Sequence, residues 1–189
     1  IPTYFDNSLM YLFAIHSKPT FFWQYFSGFF EHTIYNICTG NLAPWFIFVH
    51  LGFNMAILLI FGIIIEKNIG SKQMFYISFI SAIINIISFM FITNIILKTG
   101  NVCSAGASSI VYSYAPIAIY LILKTLKANK NYNQILTYIY ILVLFVMYGV
   151  ITFLSSFLGS TIWHLIATIV GILYLTIFKK EINKNFTTS

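Results

Sequence analysis

From Pro44 onward, long apolar runs alternate with short polar breaks. Five runs can be bounded: Pro44–Ile65, Met74–Leu97, Ala105–Leu123, Gln134–Phe157 and Thr161–Phe178. Each is close to the ~20 residues that a helix needs to cross the hydrocarbon core of a bilayer. Pro44 is tolerated in a first helical turn, where its missing N–H would lack a partner anyway. The pattern predicts five membrane-crossing helices over 44–178, joined by short loops, with a cytoplasmic tail at 179–189. Residues 1–43 follow a different pattern. They are aromatic-rich but broken by Pro2, Pro19, Gly28 and Gly40, and interrupted by Asp6, Lys18, Glu31 and His32. An interfacial segment with short helices is predicted there, its Trp and Tyr side chains suited to the headgroup level.

Composition agrees. Of the 189 residues, 59% are apolar and 7% charged, against about 25% charged in soluble domains. An all-α polytopic membrane protein follows. The net charge of +6 is spread too thinly to serve a nucleic acid, and all ten basic residues are lysines. They read instead as topology signals. With sides alternated loop by loop, one side receives Lys67, Lys72, Lys124, Lys127, Lys130, Lys179, Lys180 and Lys184, and the other only Lys18 and Lys98. The lysine-rich side is expected to be cytoplasmic, in the plasma membrane. Cys38 and Cys103 fit no metal spacing; two free thiols or, if both lie on one side, a disulfide would account for them. The chain starts at Ile1 without a signal-peptide pattern.

With that topology, the first, third and fifth runs all enter from the outer face. His50 and Asn54 lie in the first turns of one, Ser108 opens another, and His164 lies in the first turn of the last. At a rise of ~1.5 Å per residue, Ser108, His50 and His164 sit within roughly 10 Å of that face. Three helices therefore bring a serine, an amide and two imidazoles to one depth. Polar and ionisable groups inside a bilayer are costly and usually face a cavity or a partner. A Gly-Ala-Ser-Ser stretch such as Gly106–Ser109 is, by itself, more often a packing surface between helices; the convergence makes it a candidate site.

The roles follow from chemistry. Ser108 is a weak nucleophile until a base takes its proton, and neutral His164 can accept that proton and return it to a leaving amine. Attack on an amide creates an oxyanion that requires preset donors. His50 and Asn54, i and i+4 on one helix face, can supply them, with the Ser108 backbone N–H as a third. No acid falls in the outer half of a run, so a Ser–His dyad is predicted rather than a triad. Gly106 leaves the approach to Ser108 bare, and the Tyr112 ring can hold the imidazole by packing. Bis-histidine haem ligation by His50 and His164 is the alternative chemistry for the same imidazoles. No metal ion is expected.

These residues resemble the rhomboid intramembrane serine proteases. His50-Leu-Gly-Phe-Asn54 is similar to the family's His-x-x-x-Asn, and Glu66-Lys-x-x-Gly70-Ser71 to the turn that follows it. Gly106-Ala107-Ser108-Ser109 resembles Gly-x-Ser-Gly, with Tyr112 four residues beyond the serine. His164, between Gly159 and Gly171, resembles the last span, and Trp23-Gln24 a Trp-Arg pair in the first loop. The resemblance implies a rhomboid-like six-helix bundle whose first span lies before Ile1. It implies Ser108 as nucleophile, His164 as base, and His50 and Asn54 at the oxyanion. Single-span membrane proteins would be the substrates, and no cofactor is implied. Departures are Ser109 for the second Gly, expected to narrow the pocket, Gln24 for Arg, and Trp163 and Ala167 where smaller residues are usual. A catalytically silent relative that binds membrane clients is the alternative function. Glu66 is expected to anchor packing, and Gly171 to permit close helix contact.

Overall fold

The computed structural model describes residues 12, 15–16, 18, 21–28, 44–96, 98, 103–104, 107–128, 132–156 and 159–188. Over these residues the chain is almost entirely helical. A short helix, α1 (Gln24–Ser27), precedes five long ones: α2 (Pro44–Ile69), α3 (Ser71–Phe91), α4 (Ser108–Ala128), α5 (Tyr132–Ser156) and α6 (Gly159–Thr188). These five are long and apolar enough to cross a membrane, and they pack against one another as a helical bundle.

Each helix starts and stops for a local reason. Pro44 opens α2. Gly70 ends it with φ +90, a left-handed conformation that glycine adopts without steric cost. The Gly70 N–H donates to the Glu66 carbonyl at 2.8 Å, and the Ser71 hydroxyl donates to the Glu66 carboxylate at 2.6 Å. Glu66 therefore anchors a one-residue turn into α3. At the far end of α3 the backbone passes into a π-helical stretch, Ile92–Ile96, where the Thr93 hydroxyl donates to the Phe89 carbonyl at 2.6 Å. That hydroxyl competes for a carbonyl of the normal ladder.

α4 is the most buried of the five and touches all the others. Its core face (Val111, Ile117, Leu121) meets Ile57, Phe61 and Ile65 of α2, which recur at one-turn spacing. Ile77 of α3, Tyr148 of α5 and Tyr174 of α6 complete the cluster. The opposite faces expose Leu59, Ile63, Phe79, Ile87, Val146, Leu173 and Ile177, as a lipid-facing surface would. Polar residues turn inward: Asn54, Ser81, Asn85, Thr93, Ser108, Ser109 and Ser113 are buried. Ser113 donates to the Ile110 carbonyl at 2.8 Å and Asn85 to that of Ser81 at 2.9 Å, since without water each buried polar group needs a protein partner.

Two features depart from the pattern of apolar runs. β1 (Ile15–His16) pairs antiparallel with β2 (Cys103–Ser104), Ile15 opposite Ser104 and His16 opposite Cys103. The early segment thus contains a strand as well as a short helix, and it is tied to the chain just before α4. α6, in turn, continues through its lysines to Thr188 rather than stopping at Phe178. Tertiary contacts hold that extension. Ile182 is buried, Gln73 donates to the Glu181 carboxylate at 2.7 Å, Tyr174 donates to Gln73, and Asn183 accepts from Tyr120 at 2.6 Å and Lys124 at 2.8 Å. The cysteine question lies outside the described residues, because Cys38 does.

The closest helix crossing is that of α4 and α6. A Cβ built at Gly171 would overlap the Ser113 carbonyl and come within 3.1 Å of Pro116 Cδ. Gly171 therefore serves close contact, as small residues do between membrane helices. At Gly52, by contrast, a Cβ would meet nothing within 4 Å among the described residues. Gly171→Ala is expected to cost about 1–3 kcal/mol of stability, while Gly52→Ala leaves it unchanged or slightly raised. Unfolding midpoints of the two variants in detergent micelles check this; equal midpoints would contradict the close crossing.

Candidate active site

Ser108 opens α4 and His164 lies in the second turn of α6, so the α4–α6 crossing brings them to the same end of the bundle. His164 Nε2 is 3.0 Å from Ser108 Oγ, hydrogen-bonding distance for a hydroxyl and an imidazole. A haem ligand would turn its ring nitrogen toward iron; this nitrogen faces the serine. Among the described residues, no three His, Cys, Asp or Glu side chains gather where a metal ion could sit.

The ring of His164 is held by an aromatic face. Tyr112, one turn beyond Ser108 on α4, stacks on it with centroids 4.2 Å apart and planes 18° apart. Tyr112 is backed in turn by Tyr148 of α5, at 5.6 Å, and by Phe145, at 6.0 Å. On its other flank, Trp163 packs edge-on against Phe89 of α3 at 5.2 Å. The substitution of a bulky Trp beside the base is thus absorbed by a second small core, which Tyr25 near α1 also joins. The described acids, Glu66 and Glu181, lie at the opposite end of the bundle, bonded to Ser71 and Gln73.

Asn54 is fully buried on α2, one turn from His50. Its Nδ2 donates to the His50 backbone carbonyl at 3.1 Å, and its Oδ1 accepts from the Tyr148 hydroxyl at 2.5 Å. A backbone carbonyl only accepts, so the orientation of the carboxamide is determined by its partners. One N–H of Nδ2 remains for any further acceptor. His50 is partly buried on the same helix.

Ser109 is buried beside Ser108, and its carbonyl accepts from the Ser81 hydroxyl of α3 at 3.4 Å. Its own hydroxyl is buried and has no hydrogen-bond partner among the described residues. Gln24, where the resemblance had placed an arginine, is buried and accepts from the Phe21 N–H at 3.1 Å, closing the turn into α1. Its neighbour Trp23 donates to the Leu12 carbonyl at 3.2 Å. Gly106 lies outside the described residues.

The structure therefore joins Ser108, His164 and Tyr112 directly, and joins Asn54 to that group through Tyr148. Tyr148 went unnoticed in the sequence, where it is one of thirteen tyrosines in an apolar run with nothing to mark it.

The family model described as Rhomboid domain matches residues 31–181. No curated protein matches the chain, and no solved structure does.

The stacked imidazole can be tested alone. Tyr112→Phe retains an aromatic face against His164 and Tyr112→Leu does not. The leucine variant is expected to be less stable than the phenylalanine variant by about 0.5–1.5 kcal/mol per ring pair lost. Chemical unfolding of both in one detergent measures the difference; no difference would contradict a structural role for the stack.

Proposed function

The chain belongs to the rhomboid family, and on that premise we propose that it is an intramembrane serine endopeptidase acting on single-span membrane proteins. The observation that supports this most is the 3.0 Å approach of His164 Nε2 to Ser108 Oγ. Ser108 attacks the scissile carbonyl carbon while neutral His164 accepts its proton. The tetrahedral intermediate collapses as His164 returns that proton to the leaving amine, which leaves an acyl-enzyme. Water then attacks the ester carbonyl, His164 again takes the proton, and Ser108 departs as the alcohol.

The negative oxygen of the intermediate requires donors fixed in advance. The N–H groups of Ser108 and Ser109, which precede the first carbonyl that α4 can offer them, are suited to this; those of Ile110 and Val111 already donate to the Ala107 carbonyl. His50 and the remaining N–H of Asn54 are the side-chain candidates. Orientation of the base, which a carboxylate provides in a triad, falls here to the Tyr112 ring. The lysine distribution supports cleavage near the non-cytosolic face of the plasma membrane.

The protein reconstituted in lipid vesicles with a single-span substrate tests this. Ser108→Ala and His164→Ala are each expected to lower kcat by at least about 10³-fold, with unfolding midpoints near wild type. Cleavage that survives either change would overturn the assigned roles.

A further inference from the structure

α5 is the least buried of the five long helices. Of its described side chains, Tyr148 alone is fully buried. Most of the helix faces outward: Ile139, Tyr140, Val143, Leu144, Val146, Met147 and Val150 are exposed. Ile141 and Phe145 pack beside Tyr148, partly buried against the core.

It touches both arms of the site. Its hydroxyl donates to Asn54 Oδ1 at 2.5 Å. Its ring lies 5.6 Å from that of Tyr112, which stacks on His164 at 4.2 Å. The hydroxyl fixes which way the Asn54 carboxamide faces, because Oδ1 must meet a donor and Nδ2 already meets the His50 carbonyl. Without it, a fully buried amide oxygen loses its partner, which favours rotation of the carboxamide or entry of water. The ring closes the pocket behind Tyr112 and limits how far the stacked pair can slide.

We propose that Tyr148 is a positioning residue for the reaction: its hydroxyl holds Asn54 in the donor orientation that the oxyanion requires, and its ring holds Tyr112 against His164. The inference rests on the protease reading of the same site. Tyr148 does not touch the reacting atoms; it acts through Asn54 and Tyr112. The hydroxyl and the ring thus have separable effects, one on oxyanion stabilisation and one on the base.

Tyr148→Phe removes the hydroxyl and keeps the ring. Direct loss of an oxyanion donor costs about 10²–10³ in kcat, so misorienting one is expected to cost less, about tenfold, with KM unchanged and the unfolding midpoint near that of wild type. In an Asn54→Ala background the same change is expected to have no further effect on kcat, because the group it orients is gone. Wild-type kcat in Tyr148→Phe, or an undiminished loss in the Asn54→Ala background, would overturn the proposal and leave the protease reading standing. A wild-type protein that cleaves no single-span substrate would overturn both. Tyr148→Phe is expected to fold with the ring's packing kept, so the test does not depend on Tyr148→Ala, which opens a cavity.

Discussion

How near Ser108 can come to His164 is set by how near two helix backbones can come to each other. Gly171 lies about two turns from His164 along α6 and meets the Ser113 carbonyl of α4, with the Pro116 ring beside it. No side chain separates the helices there. From that contact the two rods carry their first turns to one end of the bundle, where 3.0 Å separates Oγ from Nε2. A methyl group at Gly171 would push α6 away, and the site depends on the pair staying in hydrogen-bond reach.

Around that crossing the polar groups are bonded in short chains. Glu66 and Ser71 close the turn between α2 and α3; Gln73 and Glu181, Tyr120 and Asn183 clasp the far end of α6. Asn54 joins His50 to Tyr148. The bonds that run between helices, Gln73–Glu181, Tyr120–Asn183 and Tyr148–Asn54, also fix each helix relative to its neighbour. Among the described residues, the end bearing Ser108 adds stacked rings to its hydrogen bonds, and the lysine-bearing end is clasped by hydrogen bonds. Ring stacking suits the first, because it orients an imidazole without consuming the nitrogen that faces the serine.

Much of this was legible before any coordinates. Depth along a helix follows from a constant rise per residue, so Ser108, His50 and His164 could be placed at one level from run boundaries alone. The five long helices match the five apolar runs, and Tyr112 was read as a packing partner of the base from its one-turn spacing to Ser108. Azimuth was less legible. Which side of α5 faces inward depends on its crossing with α2 and α4, and a run as uniformly apolar as Tyr132–Ser156 carries no stripe to reveal it. Tyr148 was lost for that reason. The continuation of α6 past Phe178 was hidden because its lysines read as the end of a span. The β1–β2 pairing is two residues long, too short for an alternation to show. Ser109 stood out by its difference from the family motif, yet nothing in the motif told that its carbonyl would be bonded to α3.

The account turns on one claim, that Ser108 is made reactive by His164. A fluorophosphonate, which forms a stable ester with an activated serine, tests it without any knowledge of the substrate. After incubation in detergent or vesicles, digestion and mass spectrometry locate the adduct among the chain's serines and give its rate of formation. The expected result is one adduct, on Ser108, whose formation is lost in His164→Ala while that variant remains folded. An adduct absent from Ser108, or formed at the same rate without the imidazole, would contradict it.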